Sequence, residues 1–221
     1  MIAKQLITNS FVPLKSTDTG AFALTRMEES HLVNLPVVDD GVFAGIVSEQ
    51  DILALDSPEV EISLVSDLHK MVCVNGGQHV YEVLKLFSIY SITVLPVVDD
   101  NNMYLGGITP QSVVASLAEL IGSQEPGGII ELEIRDQDYS LEEIVQVVES
   151  NHAKIRSCTV SSVPGSSNLQ VTLKLNLLEI GPLCQAFFRL DYNVTASWSS
   201  ENMYNDGLRD RFEALMNYLN I

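Results

Sequence analysis

LPVVDDGVFAGIVSEQDIL, residues 35–53, decides the fold, because the chain writes it again as LPVVDDNNMYLGGITPQSVV at residues 95–114. The register extends beyond the shared LPVVDD. At an offset of 60, Val12 and Leu14 match Val72 and Val74. Ala23, Leu24 and Met27 match Val83, Leu84 and Phe87, and Leu32 matches Ile92. Asn101–Asn102 then replace the single Gly41, and the offset grows by one. Gly45 matches Gly106, Ser48 matches Thr109, and Asp51 matches Ser112. Whole units of roughly 60 residues are repeated, and a unit of that kind buries its apolar face only against a neighbour.

Each unit reads the same way. A short extended piece (Phe11–Lys15, Met71–Asn75) precedes a helix with apolar residues at helical spacing: Ala21, Leu24 and Met27, then Val80, Val83, Leu84 and Phe87. LPVV follows as a buried strand. Asp39-Asp40-Gly41 and Asp99-Asp100-Asn101-Asn102 are turn chemistry before a second strand. Ser48 and Thr109 cap a second helix. The expected unit is β-α-β-β-α, over residues 1–61 and 62–121.

Residues 122–128, GSQEPGG, form a linker by composition. Residues 129–200 carry a different pattern. GGIIELEI alternates as a half-buried strand, and Ser140–Lys154 is an amphipathic helix with Ser140 as cap and Glu143 at the capping-box position. Leu141, Ile144, Val145 and Val148 are its inward residues. Strands at 156–163 and 169–177, a helix at 181–191 and a strand at 193–199 complete βαββαβ, the ferredoxin-like order. Residues 201–221 predict a C-terminal helix with an apolar stripe at Leu208, Phe212, Leu215 and Leu219. The fold class is therefore mixed α/β (α+β).

The net charge of −17 is spread along the chain and excludes a basic face for nucleic acid or for an anionic membrane. Cys73, Cys158 and Cys184 are odd in number and set among apolar neighbours, as thiols in a reducing compartment. The first residues show no signal peptide, and no apolar run approaches ~18 residues. A cytoplasmic protein without a membrane partner is expected. His31, His69, His79 and His152 lack ligand spacing, so no metal is expected. There is no Cys-x-x-Cys, no P-loop and no Gly-x-Ser-x-Gly, and the paired acidic residues are turn or surface chemistry. No catalytic residue is expected and the chain does not read as an enzyme.

The doubled LPVVDD, the glycine-led strand and the ending Ser48-Glu49-Gln50-Asp51 resemble tandem CBS domains, the Bateman module. That resemblance implies a pseudo-two-fold pair with two clefts that bind adenosine-containing ligands. Carried over by motif position, the first cleft would use Val33, Asn34, Ile46, Ser48, Gln50 and Asp51, faced by Met71, Val72, Ile92 and Thr93. The second would use Gly107, Thr109, Gln111 and Ser112, faced by Phe11, Val12, Leu32 and Val33. An Asp at a helix start can accept two ribose hydroxyls. Ser112 cannot do so with a charge, and the second cleft is expected to be weak or empty. Val33-Asn34 and Thr93-Val94 stand where phosphate-binding members carry Arg or His. AMP, ADP, adenosine or S-adenosylmethionine is thereby expected rather than ATP, which would need Mg²⁺. The alternative to a ligand is structural: Asp51 and Ser48 as helix caps in a pair with degenerate sites.

Residues 129–200 resemble an ACT domain, in element order and in the loop from Asp136 to Ser140-Leu141. A CBS pair followed by ACT is similar to the acetoin-utilisation type of CBS protein. The ACT resemblance implies an effector site on that loop, but Tyr139 stands at the usual glycine position, which favours a dimerisation module. The whole implies a non-enzymatic regulatory sensor, a homodimer, with a protein target not visible in this chain. The rival reading is a structural dimerisation and partner-interaction module.

Overall fold

The computed structural model describes residues 1–8, 10–55, 57–64 and 72–199. Two units divide between Ser116 and Leu117. In the first unit the repeat is visible element by element. Helix α1 (Gly20–Ser30) starts on Thr19, whose hydroxyl accepts the Phe22 N–H, and ends on His31 in the left-handed conformation. Strands β1 (Asn34–Asp39) and β2 (Val42–Ser48) form an antiparallel hairpin. Its two turn residues, Asp40 and Gly41, have φ of 51° and 84°. A two-residue turn that follows the strand twist needs both values positive, which is why Asp-Gly stands there. The short helix α2 (Glu49–Leu53) closes the repeat.

The second repeat supplies β3 (Val74–Asn75), α3 (Val80–Ile89), β4 (Leu95–Val98), β5 (Tyr104–Ile108) and α4 (Pro110–Leu120). The copies agree down to their irregularities. Each hairpin bulges after the second-last residue of LPVV, where Val37 faces Gly45 and Val97 faces Gly106. Leu14 bridges Val37 in parallel, as Val74 pairs with Val97. The extended pieces expected at 11–15 and 71–75 are thus reduced to one bridge and one two-residue strand; Met71 lies outside the described residues.

A two-stranded hairpin such as β1–β2 is marginal by itself. Leu14, Ala23, Met27, Leu35, Val37, Val47, Ile52 and Ile62 form the core of the first repeat, each at most 3% exposed. Burying a large aliphatic side chain contributes about 1.5–3 kcal/mol, so this cluster holds α1 and α2 on the hairpin. The chain also laces the repeats together. Residues at the start of the chain pair with the second repeat, with Ala3 N–H donating to Gln78 O (2.8 Å) and Lys4 N–H to Gly76 O (3.0 Å). Residues that follow α2 close the first repeat in turn, with Gly20 N–H on Val60 O (3.0 Å) and Ile62 N–H on Asp18 O (2.9 Å). The hairpin tips meet: Tyr104 N–H donates to Gly41 O (2.8 Å) and Asn102 Nδ2 to Phe43 O (2.8 Å). Asn102 belongs to the two residues that replace Gly41.

The second unit is β6 (Ile129–Arg135), α5 (Leu141–Ser150), β7 (Ile155–Ser162), β8 (Asn168–Leu175), α6 (Gly181–Arg189) and β9 (Asn193–Trp198). Its antiparallel sheet has the order β7-β8-β6-β9, a ferredoxin-like βαββαβ arrangement. Alternate residues Ile130, Leu132 and Ile134 of β6 and Val171, Leu173 and Leu175 of β8 pack with Ile144 and Val148 of α5 and with Leu183 and Phe187 of α6. Ser140 caps α5 as expected. The inward stripe differs by one step: Leu141, the first helical residue, is exposed and Val147 is buried. The Glu143 carboxylate reaches across to accept the Tyr192 hydroxyl at 3.1 Å. The helix expected at 201–221 lies outside the described residues. Among the described residues no helix is long and apolar enough to cross a membrane.

Candidate functional site

The seam between the repeats opens into a cleft of about 400 Å³. Val33, Asn34, Ile46, Ser48 and Gln50 line it from the first repeat, and Val72 and Ile92 from the second. These seven are residues that the sequence assigns to the first cleft. Glu49, Tyr90 and Ser91 also line it, and the sequence reading missed them. The reason lies at a helix exit. Helix α1 ends in a left-handed turn at His31, but α3 leaves through Tyr90 in extended conformation (φ −106°, ψ 131°). Ser91 follows that extended exit into the cleft wall. The adjacency of Tyr90 and Ser91 to Ile92 was the available signal.

The back of the cleft is a buried polar seam. Asn34, 2% exposed, accepts through Oδ1 from the Thr93 N–H (2.6 Å) and the Thr93 hydroxyl (2.8 Å). Its Nδ2 donates to Val94 O at 3.1 Å. The Thr93 hydroxyl accepts in turn from the Val33 N–H at 3.1 Å. Thr93 itself is not among the residues lining the cleft. At the α2 end, Ser48 Oγ accepts from the Asp51 N–H (3.2 Å), while Asp51 Oδ2 accepts from the Ser48 N–H (2.8 Å) and the Ser48 hydroxyl (2.7 Å). This is a reciprocal capping box. The side chain of Asp51 is turned onto its own helix start, and Asp51 does not line the cleft. Met71 lies outside the described residues. Glu49 is the one charged side chain lining the cleft, and no basic residue lines it among the described residues.

The second set of expected residues assembles differently. Thr109 and Ser112 repeat the cap with a hydroxyl in place of the carboxylate. Ser112 Oγ donates to Thr109 O (2.9 Å) and accepts from the Thr109 N–H (3.3 Å). The Phe11 ring lies against Gly107, where a Cβ would overlap the ring's Cζ. Leu32 packs on the core of the first repeat, Val12 is exposed, Gln111 is exposed on α4, and Val33 lines the first cleft. Among the described residues no group of three or more His, Cys, Asp or Glu side chains is placed to hold a metal ion.

Burial raises the Cys73 thiol above its ordinary pKa, as it does the Cys158 and Cys184 thiols in the other unit. Cys73 follows Val72 of the cleft wall in sequence.

Residues 3–57 and 65–119 each match the model of the CBS domain. The chain carries a tandem pair of CBS domains. A CBS domain-containing protein of Dictyostelium discoideum is 27% identical over 141 residues, covering 57% of this chain and 97% of the relative. Among solved structures, a Vibrio cholerae protein described as an acetoin utilization protein is 26% identical with a TM-score of 0.48, covering 56% of this chain and 95% of the other. CBSX2, solved in complex with AMP, is 25% identical with a TM-score of 0.46, covering 53% and 96%. Each likeness extends over little more than half of the chain.

Proposed function

We propose that this CBS pair is a regulatory sensor that binds one adenosine-containing ligand in the first cleft and signals its occupancy by a change in the pair. The observation that carries the reading is the cleft of about 400 Å³ at the repeat seam, built from both repeats. Its volume falls in the usual range for small-molecule sites, roughly 300–1,000 Å³. Its walls suit a nucleoside: Val33, Ile46, Val72 and Ile92 offer apolar surface for a base, and Ser48, Gln50 and Ser91 offer polar groups for a sugar. Asp51 follows Gln50 in the chain, and its carboxylate would take ribose hydroxyls by turning away from its contacts with Ser48. With Glu49 at the cleft and no described basic residue beside it, adenosine or S-adenosylmethionine suits the site better than AMP or ADP, and ATP least. Because the two repeats share the cleft, a ligand that binds one arrangement of the pair better than another shifts the pair toward it. The output would pass to the ferredoxin-like unit, to a second copy in a homodimer, or to a protein target. The protein would act without catalysis, in the cytoplasm.

Calorimetric titration with adenosine, S-adenosylmethionine, AMP, ADP and ATP tests this reading. Binding of at least one ligand near one per chain supports it, and binding of none sinks it. One observation favours a second reading, in which the pair is a structural interaction module: the Asp51 carboxylate and the Asn34 amide already serve the fold. Thermal shift separates the two, since a ligand at 100-fold its dissociation constant stabilises by about 2.7 kcal/mol.

A further inference from the structure

The two clefts differ most in what occupies them. Ile46 on β2 corresponds to Gly107 on β5, one step after the matched bulge glycines. The second repeat therefore lacks a side chain at the position where the first has isoleucine. The space is not left open. The Phe11 ring packs onto the Gly107 backbone so closely that a Cβ there would overlap Cζ, and it would also stand 2.9 Å from Val94 Cγ1. The segment carrying the ring is held in place, because the Thr8 N–H donates to Gly107 O at 2.9 Å. Phe11 also packs against the core of the first repeat. The recess beside the ring measures about 150 Å³ and is lined by Val12 and Ser30, the counterparts of Val72 and Tyr90 in the first cleft. Arg26 and Glu29 also line it, and it does not reach Gly107, Thr109 or Ser112.

We propose that Phe11 is a built-in occupant of the second cleft: its ring takes the place over Gly107 that a planar base would need, and so limits the pair to one ligand. The proposal rests on the nucleoside reading of the first cleft. Phe11 is thus a residue that sets stoichiometry, acting from the first repeat on a site of the second. Removing its ring leaves a space bounded by Gly107 and Val94, next to the Thr109–Ser112 cap. If, as proposed, Asp51 turns from its Ser48 contacts to the ribose in the first repeat, a nucleoside bound here would lack that carboxylate, and Ser112→Asp should strengthen it.

Equilibrium dialysis with labelled adenosine, on the full chain, tests this. Wild type is expected to bind one molecule per chain, Phe11→Ala two, and Phe11→Ala with Ser112→Asp two, with the second site at least tenfold tighter than in Phe11→Ala alone. Two molecules on wild type, or one on all three proteins, overturns the proposal. No binding to wild type with one molecule on Phe11→Ala upholds it and overturns the reading of the first cleft. Should Phe11→Ala fail to fold, the wild-type amide spectrum decides. Saturating adenosine is expected to shift Gln50 and Ile92 and leave Gly107 in place; a comparable shift at Gly107 overturns the proposal.

Discussion

Asn34 and Thr93 bond to each other through every polar group their side chains have except the Asn34 Nδ2, which takes Val94 O. The two residues lie one step apart in the repeat: Thr93 is the counterpart of Val33, and Asn34 that of Val94. The seam is therefore asymmetric. One repeat supplies the amide, the other the hydroxyl, and the reverse pairing is replaced by apolar Val33 and Val94.

The first prediction follows from burial. In Asn34→Ala the Thr93 N–H and Val94 C=O lose their partner at the back of the cleft. Leaving buried polar groups unpaired costs about 1–3 kcal/mol each, so a loss of about 2–4 kcal/mol is expected. Thr93→Val removes the hydroxyl but keeps its N–H on Asn34, and should cost about 1 kcal/mol. Asn34→Asp sets a second oxygen against Val94 O and should not rescue the alanine variant. Urea denaturation of the three variants checks the order. Equal midpoints for Asn34→Ala and wild type would mean that the seam contributes nothing.

The second prediction separates two roles of one carboxylate. As a cap, Asp51 holds the Ser48 N–H and hydroxyl. Asp51→Ala should therefore lower stability by about 0.5–2 kcal/mol whatever the protein binds. Asp51→Asn keeps an acceptor oxygen for Ser48 and should cost less. For a ribose the charge matters: losing a charge-assisted bond of about 1.5–3 kcal/mol corresponds to roughly a tenfold to hundredfold weaker complex. Adenosine titration of Asp51→Asn is expected to show that weakening at near wild-type stability. Unchanged affinity would reduce Asp51 to a helix cap.

The third prediction concerns charge at the cleft. Glu49 is the one charged side chain described there. Glu49→Gln should improve binding of AMP relative to adenosine, because it removes repulsion from the phosphate alone. Titration of both ligands against both proteins reads this as a change in their ratio. A ratio that stays constant places Glu49 out of reach of the 5′ end of the ligand. Raising the salt concentration should narrow the same ratio in wild type, since exposed charges are screened over a Debye length of about 8–10 Å.

Much of this architecture was legible because the repeat is exact where packing is strict. LPVV, the bulge opposite Gly45 and Gly106, and the hydroxyl caps at Ser48 and Thr109 are fixed by core geometry, and each stood in register in the sequence. Ser91 was not legible, since α3 leaves through an extended Tyr90 whereas Ser30, its counterpart, is still helical in α1. Nor was the contact of Phe11 with Gly107. The sequence put both residues at the second cleft, but whether a side chain forms a wall or fills the space depends on tertiary packing. The Leu141-to-Val147 step in α5 has a similar cause: the stripe has the expected period, and its phase is set by how the sheet meets the helix.

The last prediction uses Cys73 as a reporter of the cleft. Its thiol is half-buried, and burial raises its pKa, so the folded protein holds the proton to higher pH than the unfolded chain does. The sign for stability follows. Below the ordinary thiol pKa of about 8.5 both states are protonated and Cys73 has no effect. As pH rises past that value the unfolded chain ionises first, and the folded state loses ground. Iodoacetamide needs the thiolate, so at pH 8 Cys73 should react more slowly than the same residue in urea-unfolded protein. Val72 precedes it in the chain and lines the cleft, so saturating adenosine should slow the reaction further, and Phe11→Ala should leave that protection intact. Mass spectrometry of the Cys73 peptide against time measures both effects, with Cys158 and Cys184 as internal controls in the other unit. Equal slowing of all three cysteines would indicate global stabilisation, whereas slowing of Cys73 alone would place the ligand against Val72.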